Sequence, residues 1–182
     1  GSRGAITDRL VGPGEERPLA VSPIRASAPN SHNRIVHNVI SGAQYGVRML
    51  GAMISGGPTW LPGDAGNEVL DNLVGNPSPA PPITVTGILA DFQQAPAIRG
   101  NDVQSLSGGN LTGINLSDCA SAEVTRNRVH AFVATSTFQT GISAIALNLA
   151  VTNNLIANNF IYDLRTTSTF TSATIRGLFV QF

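Results

Sequence analysis

The stretch Ala122–Val129 reads AEVTRNRV, and Asn154–Ile161 repeats its pattern as NLIANNFI. In both stretches a β-branched apolar residue stands three positions before an asparagine, and another stands two positions after it. The same frame occurs as NRIVHNVI, NEVLDNLV and PAIRGNDV, around Asn38, Asn72 and Asn101. The five asparagines are 34, 29, 26 and 32 residues apart. A short frame that returns at variable spacing predicts a solenoid in which each repeat forms one coil.

A second short element, centred on a glycine, alternates with this frame. It reads YGV at Tyr45–Val47, TGI at Thr86–Ile88, Thr112–Ile114 and Thr140–Ile142, and RGL at Arg176–Leu178. Apolar residues follow each glycine at +1 and +3, and this alternation predicts a strand with one buried face. The exposed +2 positions are expected to be Arg48, Leu89, Asn115, Ser143 and Phe179. The string TSTF, at Thr135–Phe138 and Thr167–Phe170, then marks the same corner of two successive coils.

Composition narrows the class of protein. The 182 residues contain eleven arginines, no lysine and eleven acidic residues, so the formal charge is zero. A nucleic-acid-binding protein normally carries a basic excess, and no such partner is expected here. Hydrophobic residues make up 42% and charged residues 12%, which favours a folded core over disorder. Cys119 is the single cysteine and cannot form an internal disulfide. The longest apolar stretch is too short to span a bilayer, and no signal peptide is visible.

The two elements together resemble the repeats of the right-handed parallel β-helix in the pectin-lyase-like superfamily. They are similar to the repeats of large secreted bacterial proteins that are associated with carbohydrate binding. The resemblance extends from Asn33 to Phe182. It implies an all-β, right-handed parallel β-helix of about five to six coils, located outside the cell or on its surface. It also implies that the recurrent asparagine stacks inward as a ladder at a turn, where its amide pairs with backbone groups.

The domain organisation follows from where the frame begins. Gly1 and Ser2 are interpreted as a cloning scar, residues 3–30 as an irregular lead-in or partial first coil, and residues 31–182 as the β-helix domain. The sequence stops inside a strand pattern, GLFVQF, without a polar cap. Because an open coil exposes unpaired strand edges, this predicts a fragment of a longer solenoid, or self-association through uncapped ends. Phe160 and Phe179 are expected to mark such a contact.

Candidate ligand-binding residues come from the positions that flank the inward asparagines. Positions −1, +1 and +3 of the frame are expected to point outward. Adjacent coils lie about 4.8 Å apart, so Asp102 is expected to reach Arg128, and His130 to approach Tyr162. Guanidinium groups bind carboxylates and aromatic rings stack on sugars, so this face suits an acidic or neutral polysaccharide. The predicted site comprises Asp102, Arg126, Arg128, His130, Phe160 and Tyr162.

Two features of this site have plain structural alternatives. The charged and aromatic residues could form a lateral ladder that only covers the sheet, since surface ion pairs are common and contribute little. Trp60, in the long loop TWLPGDAG, is predicted as a sugar-stacking platform at the edge of the same face. The alternative for Trp60 is that it folds back over apolar surface.

Catalytic motifs that the resemblance would imply are absent: the sequence has no Asp-Asp pair, no Gly-His-Gly and no Asp-Pro-His-Glu. The histidines have no second ligand at metal spacing, so no metal site is assigned and no cofactor is expected. A lyase of this superfamily would need an arginine base, Arg126 or Arg128, with Asp71 or Asp102 holding calcium. Asp71 lies two coils before Arg126, so this arrangement would require Gly100, in the coil between them, to leave a cavity.

Three functions therefore remain open. The first is a non-catalytic module of a secreted or cell-surface bacterial protein that binds glycans or acts as a structural or adhesive spacer. The second is a polysaccharide lyase or hydrolase that acts on an acidic polysaccharide. The third is a unit that assembles end to end into a fibre. The first is preferred because the sequence lacks a cluster of catalytic acids.

Overall fold

The computed structural model describes residues 30–51, 53–54, 61–62, 64–75, 80–135, 141–149, 151–169 and 172–181, and these contain strands but no helix. Most of the predicted lead-in, residues 3–29, lies outside this part of the chain. The described strands wind through five coils. Coil 1 contains β1 (Arg34–Val36), β2 (Val39–Ile40) and β3 (Tyr45–Leu50), and it is followed by β4 (Met53–Ile54), β5 (Leu61–Pro62) and β6 (Asp64–Ala65). Coil 2 contains β7 (Glu68–Leu70), β8 (Leu73–Val74) and β9 (Thr86–Asp91), and it is followed by β10 (Gln93–Gln94).

The remaining three coils repeat the same order of strands. Coil 3 contains β11 (Ala97–Arg99), β12 (Asp102–Gln104), β13 (Ser107–Gly108) and β14 (Leu111–Ser117). Coil 4 contains β15 (Glu123–Thr125), β16 (Arg128–Ala134) and β17 (Gly141–Asn148). Coil 5 contains β18 (Leu155–Ala157), β19 (Phe160–Thr166) and β20 (Thr174–Gln181).

Equivalent strands of successive coils pair side by side and form three parallel sheets. Sheet A has the order β1-β7-β11-β15-β18, and sheet C has the order β3-β9-β14-β17-β20. Sheet B contains β2, β8, β12, β16 and β19, and β13 also pairs with β16. Outside these sheets β6 pairs with β10 in parallel, and β4 pairs with β5 in the antiparallel direction. The predicted all-β fold, a parallel β-helix of several coils, is confirmed.

A left-handed backbone residue makes the corner between sheets A and B. The residue immediately before each ladder asparagine has a positive φ: His37 (57°), Asp71 (53°), Gly100 (67°), Arg126 (58°) and Asn158 (56°). This bend directs the next side chain inward. Along the stack, both the backbone N–H and the Nδ2 of each asparagine donate to Oδ1 of the next one, at 2.9–3.1 Å. The predicted asparagine ladder is therefore present, and it satisfies backbone donors that the corner leaves without a strand partner.

The side chains that face inward build one continuous core. In sheet A they are Ile35, Val69, Ile98, Val124 and Ile156, and in sheet B they are Ile40, Val74, Val103, Val129 and Ile161. Those in the middle coils are completely buried. Full burial of a valine or isoleucine side chain contributes about 1.5–3 kcal/mol, so these stacked apolar columns are the main source of stability.

The glycine strand of coil 4 has a different register from the one predicted. Gly141 pairs with Thr174, and Ala144 occupies the place opposite Gly113. This column accepts only the smallest side chains, because a Cβ on Gly87 would lie 2.6 Å from the Gly113 carbonyl oxygen. The prediction that Gly141 belongs to the column was wrong. As a result Ala146, rather than Ser143, aligns with Asn115 and Phe179.

Candidate functional site

Three neighbouring strands of sheet B carry most of the predicted site. Strand β12 pairs with β16, and β16 pairs with β19, which places Asp102 beside Arg128 and Arg128 beside Phe160. Two residues further along, His130 lies beside Tyr162. Side chains two residues apart on a strand share one face, so all five project from the outer face of sheet B. They are called the sheet B cluster: Asp102, Arg128, His130, Phe160 and Tyr162.

Hydrogen bonds and ion pairs fix the polar members of the cluster across three coils. Oδ1 of Asp102 lies 2.7 Å from Nε2 of His130, and Oδ2 lies 3.5 Å from Nη1 of Arg128. Nη2 of Arg128 donates to the Tyr162 hydroxyl oxygen at 2.8 Å. This hydrogen bond, followed by the negative charge of Asp102, raises the pKa of Arg128 above its usual range. The guanidinium is therefore a permanent cation held in one place.

The aromatic members form a stack along the same face. The rings of His130 and Tyr162 are nearly parallel, at 7°, with centroids 4.4 Å apart. The ring of Phe160 is tilted by 37° against Tyr162, with centroids 4.8 Å apart. Phe160 is 63% exposed, and the side chain of Arg128 is 57% exposed. The cluster thus offers solvent an aromatic ring next to a fixed positive charge.

The sequence predicts that His130 is exposed to solvent, but in the structure most of its side chain is buried. Its side chain is only 11% exposed, because it packs against the Tyr162 ring and its Nε2 is occupied by Asp102. The strand does direct it to the outer face, but the residues of the adjacent coils cover it. His130 therefore supports Tyr162 and Asp102 within the cluster.

Arg126 and Asp71 do not join the cluster. Arg126 is the left-handed corner residue between β15 and β16, and it is exposed. In the described part of the chain, no ion pair connects Arg126 to Asp71. A Cβ on Gly100 would lie 2.1 Å from Oδ1 of Asp71, so the Asp71 carboxylate occupies the space above that glycine. Over the same residues, no group of three or more His, Cys, Asp or Glu side chains could hold a metal ion. Trp60 lies outside the described residues.

A pair of acidic residues that sequence reasoning missed lies at the end of sheet C. Asp91 ends β9, and Asp118 directly follows β14, whose last residue Ser117 pairs with Asp91. Burial, and to a smaller extent the charge of Asp118, raise the pKa of Asp91. Its Oδ1 is buried and has no hydrogen-bond partner in the described structure. The only signal in the sequence is the position of each acid at the end of a glycine strand.

A second polar stack at the opposite end of sheet A is less regular. The backbone N–H of Asn33 donates to Oδ1 of Asn67 at 2.9 Å, and Nδ2 of Asn67 donates to Oε1 of Gln93 at 2.7 Å. Pro96 and Ala122 interrupt the asparagines in coils 3 and 4, and Asn154 resumes them in coil 5, where its Oδ1 accepts from the Ala122 N–H. The members of this second stack bond to one another and to backbone groups, so the stack has a structural role. The sheet B cluster remains the candidate site.

Among the described residues, no helix is long and apolar enough to cross a membrane. A comparison with known proteins found no match to this chain among family models, curated proteins or solved structures.

Proposed function

We propose that this chain is a non-catalytic β-helix module of a secreted or cell-surface bacterial protein, and that it binds an acidic polysaccharide through the sheet B cluster. The observation that carries the proposal is the exposed Phe160 ring beside the Arg128 guanidinium, which Asp102 and Tyr162 hold in place. The resemblance of the repeats to those of the pectin-lyase-like superfamily supports a carbohydrate ligand.

The chemistry of each group suits one part of a uronic acid. The planar guanidinium of Arg128 has donors that match a carboxylate, and it is weakly hydrated. The apolar face of a pyranose ring packs on the exposed face of Phe160. The Tyr162 hydroxyl accepts a hydrogen bond from Arg128, so its own proton remains for a sugar hydroxyl. Because the adjacent coils already order these side chains, binding loses little side-chain entropy.

A glycan array tests this proposal with three variants. Arg128→Ala removes the charge and Phe160→Ala removes the ring, and each is expected to weaken binding of uronate-containing glycans by about tenfold or more. Arg165→Ala is the matched control, since Arg165 lies on the same strand β19 and pairs with Asp163 outside the cluster. It is expected to bind as the unmodified protein does. Each array is repeated with calcium added and with calcium chelated.

Two results would reject the proposed site. One is equal binding by the unmodified protein and Arg128→Ala, and the other is an equal loss in Arg165→Ala, which would indicate attraction by net charge alone. If no glycan binds under any condition, the spacer function is favoured over the glycan-binding one.

The lyase alternative is less consistent with the electrostatics of the cluster. A lyase base must lose its proton before it can remove one from the substrate. The hydrogen bond to Tyr162 and the charge of Asp102 raise the pKa of Arg128, which opposes this role. A role for calcium stays a prediction. A lyase assay on any glycan that binds, followed by the absorbance of the unsaturated product, separates an enzyme from a binding module.

A further inference from the structure

Asp102 shares its negative charge between two basic side chains of the next coil. Its Oδ1 lies 2.7 Å from Nε2 of His130, and its Oδ2 lies 3.5 Å from Nη1 of Arg128. The three residues belong to β12 and β16, which have paired strands on both sides, so their arrangement does not depend on either end of the stack. The contact with His130 is the shorter and the better shielded of the two, since the His130 side chain is only 11% exposed. The charge on His130 therefore determines how much of the Asp102 charge acts on Arg128.

One acid and one base face the His130 imidazole in the described part of the chain. Strand β12 supplies Asp102 and the neutral Gln104, and β19 supplies Tyr162, whose ring stacks on the imidazole. The only charged side chain on its own strand β16 is Arg128. Histidine is the side chain type that ordinarily changes charge between pH 5 and pH 8, whereas carboxylates, tyrosine and arginine ordinarily do not. Over this range the proton on His130 is the variable of the cluster.

A proton added to His130 changes the net charge of the group formed by Asp102, Arg128 and His130. An ionised carboxylate only accepts hydrogen bonds, so Nε2 carries a proton when it bonds to Asp102, and the added proton goes to Nδ1. With a neutral imidazole the charges of Asp102 and Arg128 cancel, and with an imidazolium the group has a net charge of plus one. We infer that His130 is a pH switch of the glycan site, which strengthens the binding of an acidic glycan when it takes up a proton. This inference rests on the proposed function, because it concerns the same site.

The direction of the effect follows from the charge of the ligand. A uronate carboxylate at Arg128 is attracted by the guanidinium and repelled by the Asp102 carboxylate, whose side chain is 28% exposed. Carboxylic acids of this kind remain ionised at pH 5.5. An imidazolium that pairs with Asp102 from its buried side offsets this repulsion. The affinity for a uronate-containing glycan is therefore expected to rise by about fivefold or more between pH 8 and pH 5.5.

Isothermal titration calorimetry with an oligosaccharide of galacturonic acid, at both pH values and constant ionic strength, measures this rise. In His130→Gln the side-chain amide still donates to Asp102 but has no charge, so one affinity is expected at both pH values. His37→Gln is the matched control, since His37 is an exposed histidine of coil 1, and it is expected to retain the full rise. Asp102→Asn removes the repulsion and is expected to bind more tightly than the unmodified protein at pH 8.

Three results of the calorimetry would overturn the inference. The first is equal affinity of the unmodified protein at pH 8 and pH 5.5. The second is a full rise in His130→Gln, which would assign the effect to another group. The third is weaker binding by Asp102→Asn at pH 8, which would mean that the carboxylate assists the ligand.

NMR of the free protein separates a failure of this inference from a failure of the proposed function. The Arg128 Nε signal, assigned by its absence in Arg128→Ala, is expected to shift with the same midpoint as the His130 imidazole signals, and to stay constant in His130→Gln. If it stays constant while His130 titrates, or if His130 keeps one charge from pH 8 to pH 5.5, the inference is wrong whether or not a glycan binds. If the coupled shift is present and no glycan binds at either pH, the proposed function fails and the charge switch is supported.

Discussion

Asn101 shows how a single buried side chain holds three coils together. Its Oδ1 accepts from both the N–H and the Nδ2 of Asn72, and its own Nδ2 donates to the Val69 carbonyl and to Oδ1 of Asn127. A buried polar group without a partner costs far more than an ordinary hydrogen bond contributes. Buried amide side chains are therefore tolerated in the ladder, because each one supplies hydrogen-bond partners to its neighbours.

Replacement of Asn101 by alanine should be among the more damaging changes to this protein. It leaves the buried backbone N–H of Asn72 without its acceptor and removes the side-chain hydrogen bonds of residue 101 to the Val69 carbonyl and to Oδ1 of Asn127, so the free energy of unfolding is expected to fall by about 3 kcal/mol. Asn38→Ala is the control, since Asn38 is the exposed first member of the ladder, and its loss is expected to be about 1 kcal/mol or less. Urea denaturation measures both. Equal losses would show that burial in the ladder is not what matters.

Cys119 gives a stability effect that depends on pH. Burial raises the pKa of its thiol from 9.0 to about 12, although hydrogen bonds to backbone groups oppose the shift. Below pH 9 the thiol is protonated in both states. Above pH 9 only the unfolded thiol ionises, so the free energy of unfolding should decrease by up to roughly 4 kcal/mol as the pH approaches 12.

Urea denaturation from pH 8 to pH 11 measures this decrease. Cys119→Ala is expected to show a shallower decrease over the same range, since the variant retains every other group that titrates there. Parallel curves for the two proteins would mean that the thiol makes no contribution.

At the scale of elements, strand alternation accounts for most of what the sequence predicted about the site. The period of two residues is enough to align Asp102 with Arg128 and His130 with Tyr162, once the coils are stacked in register. The alternation does not extend through a left-handed corner, which is why Arg126 does not share the face of Arg128. The cover over His130 depends on the angle of the Tyr162 ring, and a residue pattern carries no information about that angle.

The error in the glycine strand of coil 4 has a similar physical origin. The glycine column of sheet C requires residues without a bulky side chain. A short motif such as TGI indicates this requirement only indirectly. Ala144 meets this need, and it is completely buried opposite Gly113. Alignment on the TGI at Thr140–Ile142 placed Gly141 in the column, three residues before Ala144, which occupies that position in the structure.

Two glycine variants test this register. In Gly113→Ala the new Cβ would lie 2.4 Å from the Ala144 carbonyl oxygen, so the free energy of unfolding is expected to fall by about 2 kcal/mol or more. In Gly141→Ala the nearest atom is the Thr174 Oγ1, at 3.3 Å on a side chain that can turn away. Its loss is expected to stay below about 1 kcal/mol. Thermal denaturation measures both losses of stability. Similar losses would contradict the register seen in the structure and indicate that Gly141 belongs to the column.

At the scale of the whole molecule, the repeated frame predicts about five to six coils, and the described strands wind through five that repeat one order of strands. Each frame supplies one strand of sheet A, the corner and one strand of sheet B, so the number of frames equals the number of coils among the described residues. The difference between the two ends could not be predicted in this way. Coverage of Val47 and exposure of Leu178 depend on what lies beyond the repeats, and the repeat pattern is the same in both coils.

The asparagine ladder also determines how this protein can change its length. Each rung contacts only the rungs before and after it, so a deletion that removes one whole turn leaves the spacing of the others intact. Excision of the 26 residues from Asn101 through Arg126 would bring Asn72 and Asn127 into direct succession. The apolar columns would close in the same step, because Val129 would follow Val74 in sheet B and Ile156 would follow Ile98 in sheet A. Gain or loss of coils by duplication and deletion of gene segments is thus compatible with the fold at any inner turn, whatever the length of the loop removed.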